Sequence, residues 1–330
     1  MSTARLAPAC VLGAALLAAA GPAQGQAAQK ISIGLSSASL VAAAPRIAKE
    51  LGLFEKHGLD VRFIVMESAS AATTAVISKS IDIALAGPGE LIAAQTRGQK
   101  VVLVASVYRG LGASLILSKR VADRAGVSPT APVNDRLKAL DGIVIGTSNA
   151  TSPYTVAFRG ATKAAGSSPR FTYVSVPAMA SSLESGAIQG FIASAPFWAA
   201  PVLKGSGVVW ISGPKAELPA ENIPKSSIGL AVLRDVAETD PGLITKLRAV
   251  VSDLNKALDQ RPAEVKAAAA RLFPELDASA FELLFASEAP AWRSEPLTTK
   301  DIAHEIEFVK STGVSLPGID ALDPASLLLP

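Results

Sequence analysis

The sequence predicts an α/β protein made of two similar lobes, each a doubly wound, mainly parallel sheet with helices on both faces. The first observation is an internal echo: ISIGLSSAS from Ile31 matches IVIGTSNAT from Ile143, and IDIALAGPGEL from Ile81 matches GFIASAPFW from Gly190. The second is the regular alternation of short, β-branched apolar runs with helical segments. Two such lobes place the carboxyl ends of their strands at a shared cleft, where small ligands bind.

The first half of the chain contains the elements of one lobe in order. Ile31 to Leu35 is a short apolar run of the kind found in buried parallel strands. A helix follows over 41–54, because Pro45 suits its first turn and Gly52 its C-terminal end. The pattern then repeats, with strands at 60–65, 81–86 and 101–107 and helices at 69–80 and 88–98.

The second half repeats this order after a further strand at 113–119. Residues 119–135 are polar and contain Pro129 and Pro132, so we expect a loop there. The remaining elements are strands at 143–147, 171–176, 190–195 and 208–212, which alternate with helices at 153–165, at 180–185 and after residue 196.

The last third of the chain is predicted to be mostly helical. After a proline-rich loop at 213–225, a strand at 228–234 is expected to return the chain to the first lobe. Asp240 caps an amphipathic helix, and Thr298 or Thr299 caps the final one.

The composition excludes some classes of function. The 330 residues are 49% hydrophobic and 18% charged, which is enough for two domains with a substantial core. The formal net charge of +3 is small, and the densest basic stretch, Lys119, Arg120 and Arg124, is interpreted as a solvated loop. We therefore expect no nucleic-acid binding. The only cysteine, Cys10, lies in the N-terminal segment, so the mature chain is expected to have no thiol.

The N-terminus has the layout of a secretory signal peptide. Arg5 precedes an apolar run from Val11 to Ala20, and small residues and glutamines follow. A run of about ten apolar residues is too short for a helix that spans a membrane. We expect cleavage between Ala23 and Ala28, which would make the mature protein exported and periplasmic.

Motifs that carry catalysis or metal binding are missing. The sequence has no G-x-S-x-G elbow, no P-loop lysine and no H-E-x-x-H pair. Its two histidines, His57 in a predicted turn and His304 on an amphipathic helix, are interpreted as surface residues. No pair of carboxylates has a spacing that indicates acid–base chemistry. The sequence therefore predicts no enzyme, no metal site and no cofactor.

Two polar turns at matching places in the two halves are candidates for ligand contact. Unpaired backbone N–H groups at a helix start carry partial positive charge, and neighbouring hydroxyls add donors. Such turns suit a carboxylate, sulfonate, nitrate or phosphate, or their residues serve only as helix caps. The candidates are Ser36 and Ser37 in the first half and Ser148, Asn149, Thr151 and Ser152 in the second.

Further candidates follow the third and fourth strands. Gly87 and Gly89 let the backbone approach a ligand closely, and Pro196 stands at the matching place in the second half. Arg109 follows the fourth strand, where it either holds an anionic group through two hydrogen bonds or is a solvated loop residue. Glu90 would oppose an anion if it faced inward.

Four segments of the chain carry a resemblance to a known family. They are PRIAKELGLFEKHGLDVRF, SIDIALAGPGELIAAQTRGQKVVLVASV, LDGIVIGTSNATSPY and GAIQGFIASAPFW. The most specific element is G-L-F-x-x-x-G-L-D-V, from Gly52 to Val61. Together they resemble the nitrate/taurine/sulfonate branch of the periplasmic substrate-binding proteins of ABC transporters, which also includes binders of thiamine-precursor pyrimidines.

The resemblance implies a type II periplasmic-binding-protein fold, in which two lobes joined by two crossovers close over a ligand. It implies a signal peptide at 1–27, a first lobe at 28–114 and 227–330, and a second lobe at 115–226. It also implies ligand contact at the two serine-rich turns and the glycine turn, and delivery to an ABC permease with a cytoplasmic ATPase. We expect a monomer that binds a small molecule.

The ligand stays open at the level of sequence. A sulfonate, taurine, nitrate or other small anion is favoured because the turns are rich in hydroxyls and Arg109 is available. The alternative is a pyrimidine or other aromatic heterocycle, stacked on Tyr154, Tyr173 or Trp198. An enzyme on the same fold and a periplasmic sensor subunit are the competing functions, and neighbouring genes would separate transport from sensing.

Overall fold

The computed structural model describes residue 1 and residues 27–35, 38–150 and 152–329. Apart from its two end residues, the predicted signal peptide at 1–27 lies outside the described residues, as do Ser36, Ser37 and Thr151.

The first lobe begins with four strands and four helices in alternation. Gly52 has a left-handed backbone with φ of 69°, so the helix predicted over 41–54 is divided there into two. The elements are β1 (Gln29–Leu35), α1 (Ala43–Glu50), α2 (Leu53–Lys56), β2 (Leu59–Val65), α3 (Ala69–Ile77), β3 (Ile83–Ala86), α4 (Pro88–Gln95) and β4 (Val101–Arg109).

The second lobe repeats this alternation over the next hundred residues or so. Its core is a cluster of buried side chains that includes Leu115, Phe158, Ile192 and Trp210. The elements are β5 (Ser114–Ser118), α5 (Lys119–Arg124), α6 (Val133–Lys138), β6 (Val144–Thr147), α7 (Pro153–Ala164), β7 (Arg170–Tyr173), α8 (Met179–Ser185), β8 (Gly190–Ala193), α9 (Ala199–Leu203) and β9 (Gly207–Ser212).

A long C-terminal segment returns to the first lobe. The side chain of Asp240 accepts a hydrogen bond from the Leu243 N–H at 2.9 Å, and that of Thr298 accepts one from the Asp301 N–H at 3.2 Å, so both predicted caps are confirmed. The elements are β10 (Ser226–Leu233), α10 (Arg234–Thr239), α11 (Pro241–Gln260), α12 (Pro262–Leu272), α13 (Ala278–Glu288) and α14 (Thr299–Ser311).

Short 3-10 helices complete the structure. They lie at Leu40–Ala42, Val176–Ala178, Ala220–Asn222, Ala289–Trp292, Ile319–Ala321 and Pro324–Leu327. No helix in the described part of the chain is both long and apolar enough to span a membrane.

The two sheets have equivalent topologies, which accounts for the echo in the sequence. The strand orders are β2-β1-β3-β10-β4 and β7-β6-β8-β5-β9. In each sheet the first three strands pair in parallel, and the fourth, β10 or β5, runs antiparallel to both neighbours. The predicted α/β, two-lobed fold class is confirmed, with sheets that are mixed because one strand of each enters from the other lobe.

Residues 119–135 differ from the loop predicted for them. Helix α5 starts directly after Ser118, whose hydroxyl accepts a hydrogen bond from the Val121 N–H at 3.4 Å. Helix α6 starts after Pro132, which occupies the N-cap position. The proline therefore precedes a helix instead of interrupting one, because its fixed φ suits a helix start.

Two crossovers join the sheets and lie against each other. The Gly213 N–H donates to the Ala113 carbonyl at 3.1 Å, and the Gly110 N–H donates to the Lys225 carbonyl at 3.1 Å. A Cβ on Gly213 would meet the Ala113 oxygen at 2.1 Å, so only glycine allows this approach. Strand β4 of the first sheet ends at Arg109 and strand β5 of the second begins at Ser114, whereas the lobe boundaries after 114 and 226 stay a prediction.

Candidate functional site

A cavity of about 350 Å³ lies between the lobes, next to the crossovers. Its volume is in the range of small-molecule sites. It is lined by the end of β3 and the start of α4, the crossover segments, the start of β10, the start of α7 and one face of α14, together with Val41 and Ala69. The lining residues are Val41, Ala69, Leu85, Ala86, Gly87, Pro88, Gly89, Glu90, Leu111, Pro153, Tyr154, Pro224, Ser226, Ser227, Ile228, Glu305, Phe308, Val309 and Thr312.

The turn between β3 and α4 supplies the first-lobe wall. Glu90 folds back so that its Oε2 accepts a hydrogen bond from the Gly87 N–H at 3.1 Å, which caps the helix. A Cβ on Gly87 would meet the Ser227 carbonyl oxygen at 2.6 Å, so the close approach of β10 requires glycine here. Burial raises the pKa of the Glu90 carboxyl, although the backbone N–H groups of Glu90 and Gly87 oppose that shift.

Helix α7 supplies the second-lobe wall through Tyr154 in its first turn. The Tyr154 hydroxyl lies close to Gly112 of the first crossover: a Cβ added to Gly112 would be 3.5 Å from the hydroxyl oxygen. Burial, together with the negative charges of Glu288 and Glu90, raises the pKa of this phenol to about 12. Both carboxyls therefore act on the Tyr154 hydroxyl, and one of them, Glu90, is itself a lining residue.

Glu288, at the end of α13, is fully buried. Its Oε2 accepts a hydrogen bond from the Tyr108 hydroxyl at 2.6 Å, whereas its Oε1 has no hydrogen-bond partner among the described residues. Burial raises the pKa of this carboxyl to about 7, against the opposing effect of the Tyr108 hydrogen bond. The indole Nε1 of Trp198 is likewise buried and has no partner in the described part of the chain.

Glu305 on α14 joins the cavity to the second crossover. Its Oε1 accepts hydrogen bonds from the Ser226 N–H at 3.0 Å and from the Lys225 N–H. The residue is only 1% exposed, and burial raises its pKa to about 8. The carboxyl thus holds the start of β10, where the chain returns from the second lobe.

The predicted site residues are distributed unevenly around this cavity. Gly87 and Gly89 line it, and Ser152 is the N-cap of the helix that carries Tyr154. The structure does not bring Arg109 to it, because Arg109 lines a different cavity and pairs with Glu295 at 3.6 Å.

Three more predicted residues do not line this cavity. Ser148 and Asn149 are exposed in the turn after β6, and Pro196 is exposed after β8, where its peptide bond with Ala195 is cis. Ser36, Ser37 and Thr151 fall outside the described residues. Of the three residues proposed for stacking, Tyr154 lines the cavity, Tyr173 is 58% exposed and Trp198 is buried.

The acidic residues of the C-terminal helices were not found from the sequence. A signal for them existed: Glu305 lies three residues from both Ile302 and Phe308 on the apolar stripe of its helix, and Glu288 lies four residues after Leu284. A carboxyl at an apolar-face position is expected to be buried and to have a specific partner.

The chain belongs to the NMT1-like family, whose model matches residues 25–273. No curated protein matches the chain by sequence.

Several solved structures share the fold of this chain. The aliphatic sulphonate-binding protein SsuA from Escherichia coli is 17% identical, with a TM-score of 0.65 over 91% of this chain and 98% of that one. The nitrate-binding protein NrtA from Synechocystis is 16% identical, with a TM-score of 0.57 over 89% and 86%. A DSZB mutant in complex with biphenyl-2-sulfinic acid is 13% identical, with a TM-score of 0.61 over 89% and 96%.

These matches confirm the resemblance stated from the sequence. Both periplasmic proteins belong to the class of binding proteins that the motifs indicated, and the two-lobed fold is common to all three structures. At identities below a fifth, the likeness establishes the fold and leaves the ligand of this chain to be argued from its own residues.

Proposed function

We propose that this protein is an exported solute-binding protein, which captures a small polar solute between its lobes and delivers it to an ABC permease with a cytoplasmic ATPase. The observation that carries this proposal is the cavity at the crossovers, with walls from both lobes. Membership of the NMT1-like family and the fold shared with two periplasmic binding proteins support it.

Closure of the lobes would couple binding to transport. The first lobe contributes Gly87 to Glu90, and the second contributes Pro153 and Tyr154, so a ligand in the cavity contacts both. A ligand that touches both lobes binds the closed form more tightly than the open form and shifts the population towards it. The permease would then recognise the closed protein, and the solute would leave unchanged because the protein only binds it.

The sequence favoured a sulfonate, taurine or nitrate as the solute. Ser226, Ser227 and Thr312 place hydroxyls at the lining, but these hydroxyls donate to the backbone carbonyls of Ile228, Gly110 and Val309, so they add little to anion binding. Tyr154 and Phe308 add aromatic surface, which supports the alternative of a heterocycle. Arg109, which was expected to hold the anion, pairs with Glu295 elsewhere.

Thermal unfolding of the purified mature protein tests the binding function. The panel contains nitrate, taurine, alkyl and aryl sulfonates, aromatic carboxylates, pyrimidines and small amines. A ligand at about a hundred times its dissociation constant adds about 2.7 kcal/mol of stability. A compound that stabilises the protein should be recovered chemically unchanged after prolonged incubation, and its consumption would favour an enzyme.

A pair of tyrosine variants tests the position of the site. Tyr154→Ala should weaken binding of any stabilising compound at least tenfold, because the phenol is a second-lobe wall of the cavity. Tyr173→Ala is the matched control, since Tyr173 lies in the same lobe but is 58% exposed outside the cavity. Equal effects of the two substitutions would place the site elsewhere.

A further inference from the structure

The charged groups that line the interlobe cavity are acidic. Among the described residues that line it, Glu90 and Glu305 carry carboxyls, and none is a lysine, arginine or histidine. Within the described part of the chain, the lining therefore offers no cation to balance an anionic ligand.

Two nearby arginines have partners outside the cavity, whereas the charge of Lys225, which is not a lining residue, acts on Glu305. Arg109 pairs with Glu295. Arg46 donates to the carbonyl oxygens of Ala38 at 3.1 Å and Leu272 at 3.3 Å. Neither arginine lines the cavity, so neither neutralises its carboxyls at contact distance.

Glu90 is the lining carboxyl that can accept further hydrogen bonds. The Gly87 N–H donates to its Oε2 at 3.1 Å, and a carboxylate has roughly four acceptor positions. Glu288 is not a lining residue: its side chain is fully buried, its Oε1 has no hydrogen-bond partner among the described residues, and its charge acts on the Tyr154 phenol.

We propose that the cavity takes a small organic cation, a protonated amine or an amidinium, with an apolar or aromatic body. This inference rests on the solute-binding function proposed above and names its ligand class. The cationic head would donate hydrogen bonds to Glu90, and the body would lie against Tyr154 and Phe308. A sulfonate in the same place would add a negative charge beside Glu90, for which no described lining residue supplies a counter-charge.

Four benzene derivatives of nearly equal size test the charge preference. Benzamidine is cationic, benzamide is neutral, and benzoate and benzenesulfonate are anionic. Each is titrated into the mature protein by isothermal calorimetry at about pH 8, where a larger share of buried carboxyls is ionised than at neutral pH. Benzamidine should bind at least about tenfold more tightly than benzamide, and the two anions should bind more weakly than benzamide.

Charge-removing variants locate the effect. Glu90→Gln should raise the dissociation constant of benzamidine by roughly 10- to 100-fold and that of benzamide by less than about threefold. Glu295→Gln is the control, because it removes the same charge from an exposed residue outside the cavity and should leave both constants unchanged. The four-ligand comparison on the unmodified protein keeps the inference testable if Glu90→Gln does not fold.

The outcomes separate this inference from the function on which it rests. Tighter binding of benzoate or benzenesulfonate than of benzamidine would overturn the cation inference and leave the solute-binding function intact. Failure of benzamidine to bind would overturn it as well, while the broad solute panel would still decide the function. Benzamidine binding that is insensitive to Glu90→Gln would also contradict the proposed site.

Discussion

Glu305 offers the sharpest test of how the return crossover is held. Its Oε1 accepts the N–H groups of Lys225 and Ser226, at the point where the chain re-enters the first sheet. Glu305→Ala removes the acceptor of both N–H groups. The Ser226 N–H is buried, and an orphaned buried donor costs about 1–3 kcal/mol, with a smaller loss at the partly exposed Lys225. We expect a total loss of about 2–4 kcal/mol in the free energy of unfolding.

Glu305→Gln separates the hydrogen bonds from the charge. The amide oxygen of glutamine can still accept both N–H groups, but the side chain cannot ionise. Burial raises the pKa of Glu305 from 4.5 to about 8, so the folded state binds this proton more tightly than the unfolded state does. The stability that the neutral carboxyl contributes is therefore present below about pH 4.5 and is lost as the pH rises towards 8.

The assay is urea unfolding of the ligand-free mature protein at about pH 5 and pH 8.5, in both variants and the unmodified chain. From the lower to the higher pH, the free energy of unfolding of the unmodified protein should fall by about 2–4 kcal/mol relative to that of Glu305→Gln. Parallel pH dependences of the two proteins would refute the reasoning on burial. A loss below about 1 kcal/mol in Glu305→Ala would refute the reasoning on the crossover.

Three further predictions concern the glycine turn and the two lobes. Gly87→Ala should cost about 1–3 kcal/mol in chemical unfolding, because the new methyl would lie 2.6 Å from the Ser227 carbonyl oxygen, and an unchanged midpoint would contradict that contact. Asp253→Asn should destabilise the protein at neutral pH, because the hydrogen bond from Lys56, with others, holds the pKa of Asp253 well below its usual range, and this loss of stability should begin to shrink only as the pH falls below about 4. Phe158→Ala should lower the free energy of unfolding by about 3–5 kcal/mol, because it leaves a cavity in the second-lobe core, and the shift of the unfolding transition measures this change. A change under about 1 kcal/mol would mean that the core collapses around the smaller side chain.

Local patterns in the sequence were sufficient for most of the secondary structure. The starts of α11 and α14 were predicted correctly because a cap at Asp240 or Thr298 acts on N–H groups only three residues away. The prediction for 119–135 was wrong because prolines break helices but also begin them, and composition does not distinguish the two uses.

The candidate site was predictable in part. Gly87 and Gly89 line the cavity because they follow a strand whose carboxyl end faces the cleft, and this position follows from chain order alone. The sequence indicated that Glu90 would oppose an anion if it faced inward, and Glu90 is among the lining residues. The expectation for Arg109 did not anticipate Glu295, which is far away in the sequence.

The sequence by itself determined the two-lobed α/β architecture, because strand and helix periodicity, caps and turn glycines are local properties that recur in both halves. Only the tertiary structure decided the electrostatic character of the cleft. Glu90, Tyr154 and Glu288 come from three elements that are distant along the chain, and folding places both carboxyls close enough to raise the pKa of one phenol. Charges interact through space, and whether a carboxyl is buried without a counter-charge depends on contacts that no local pattern specifies.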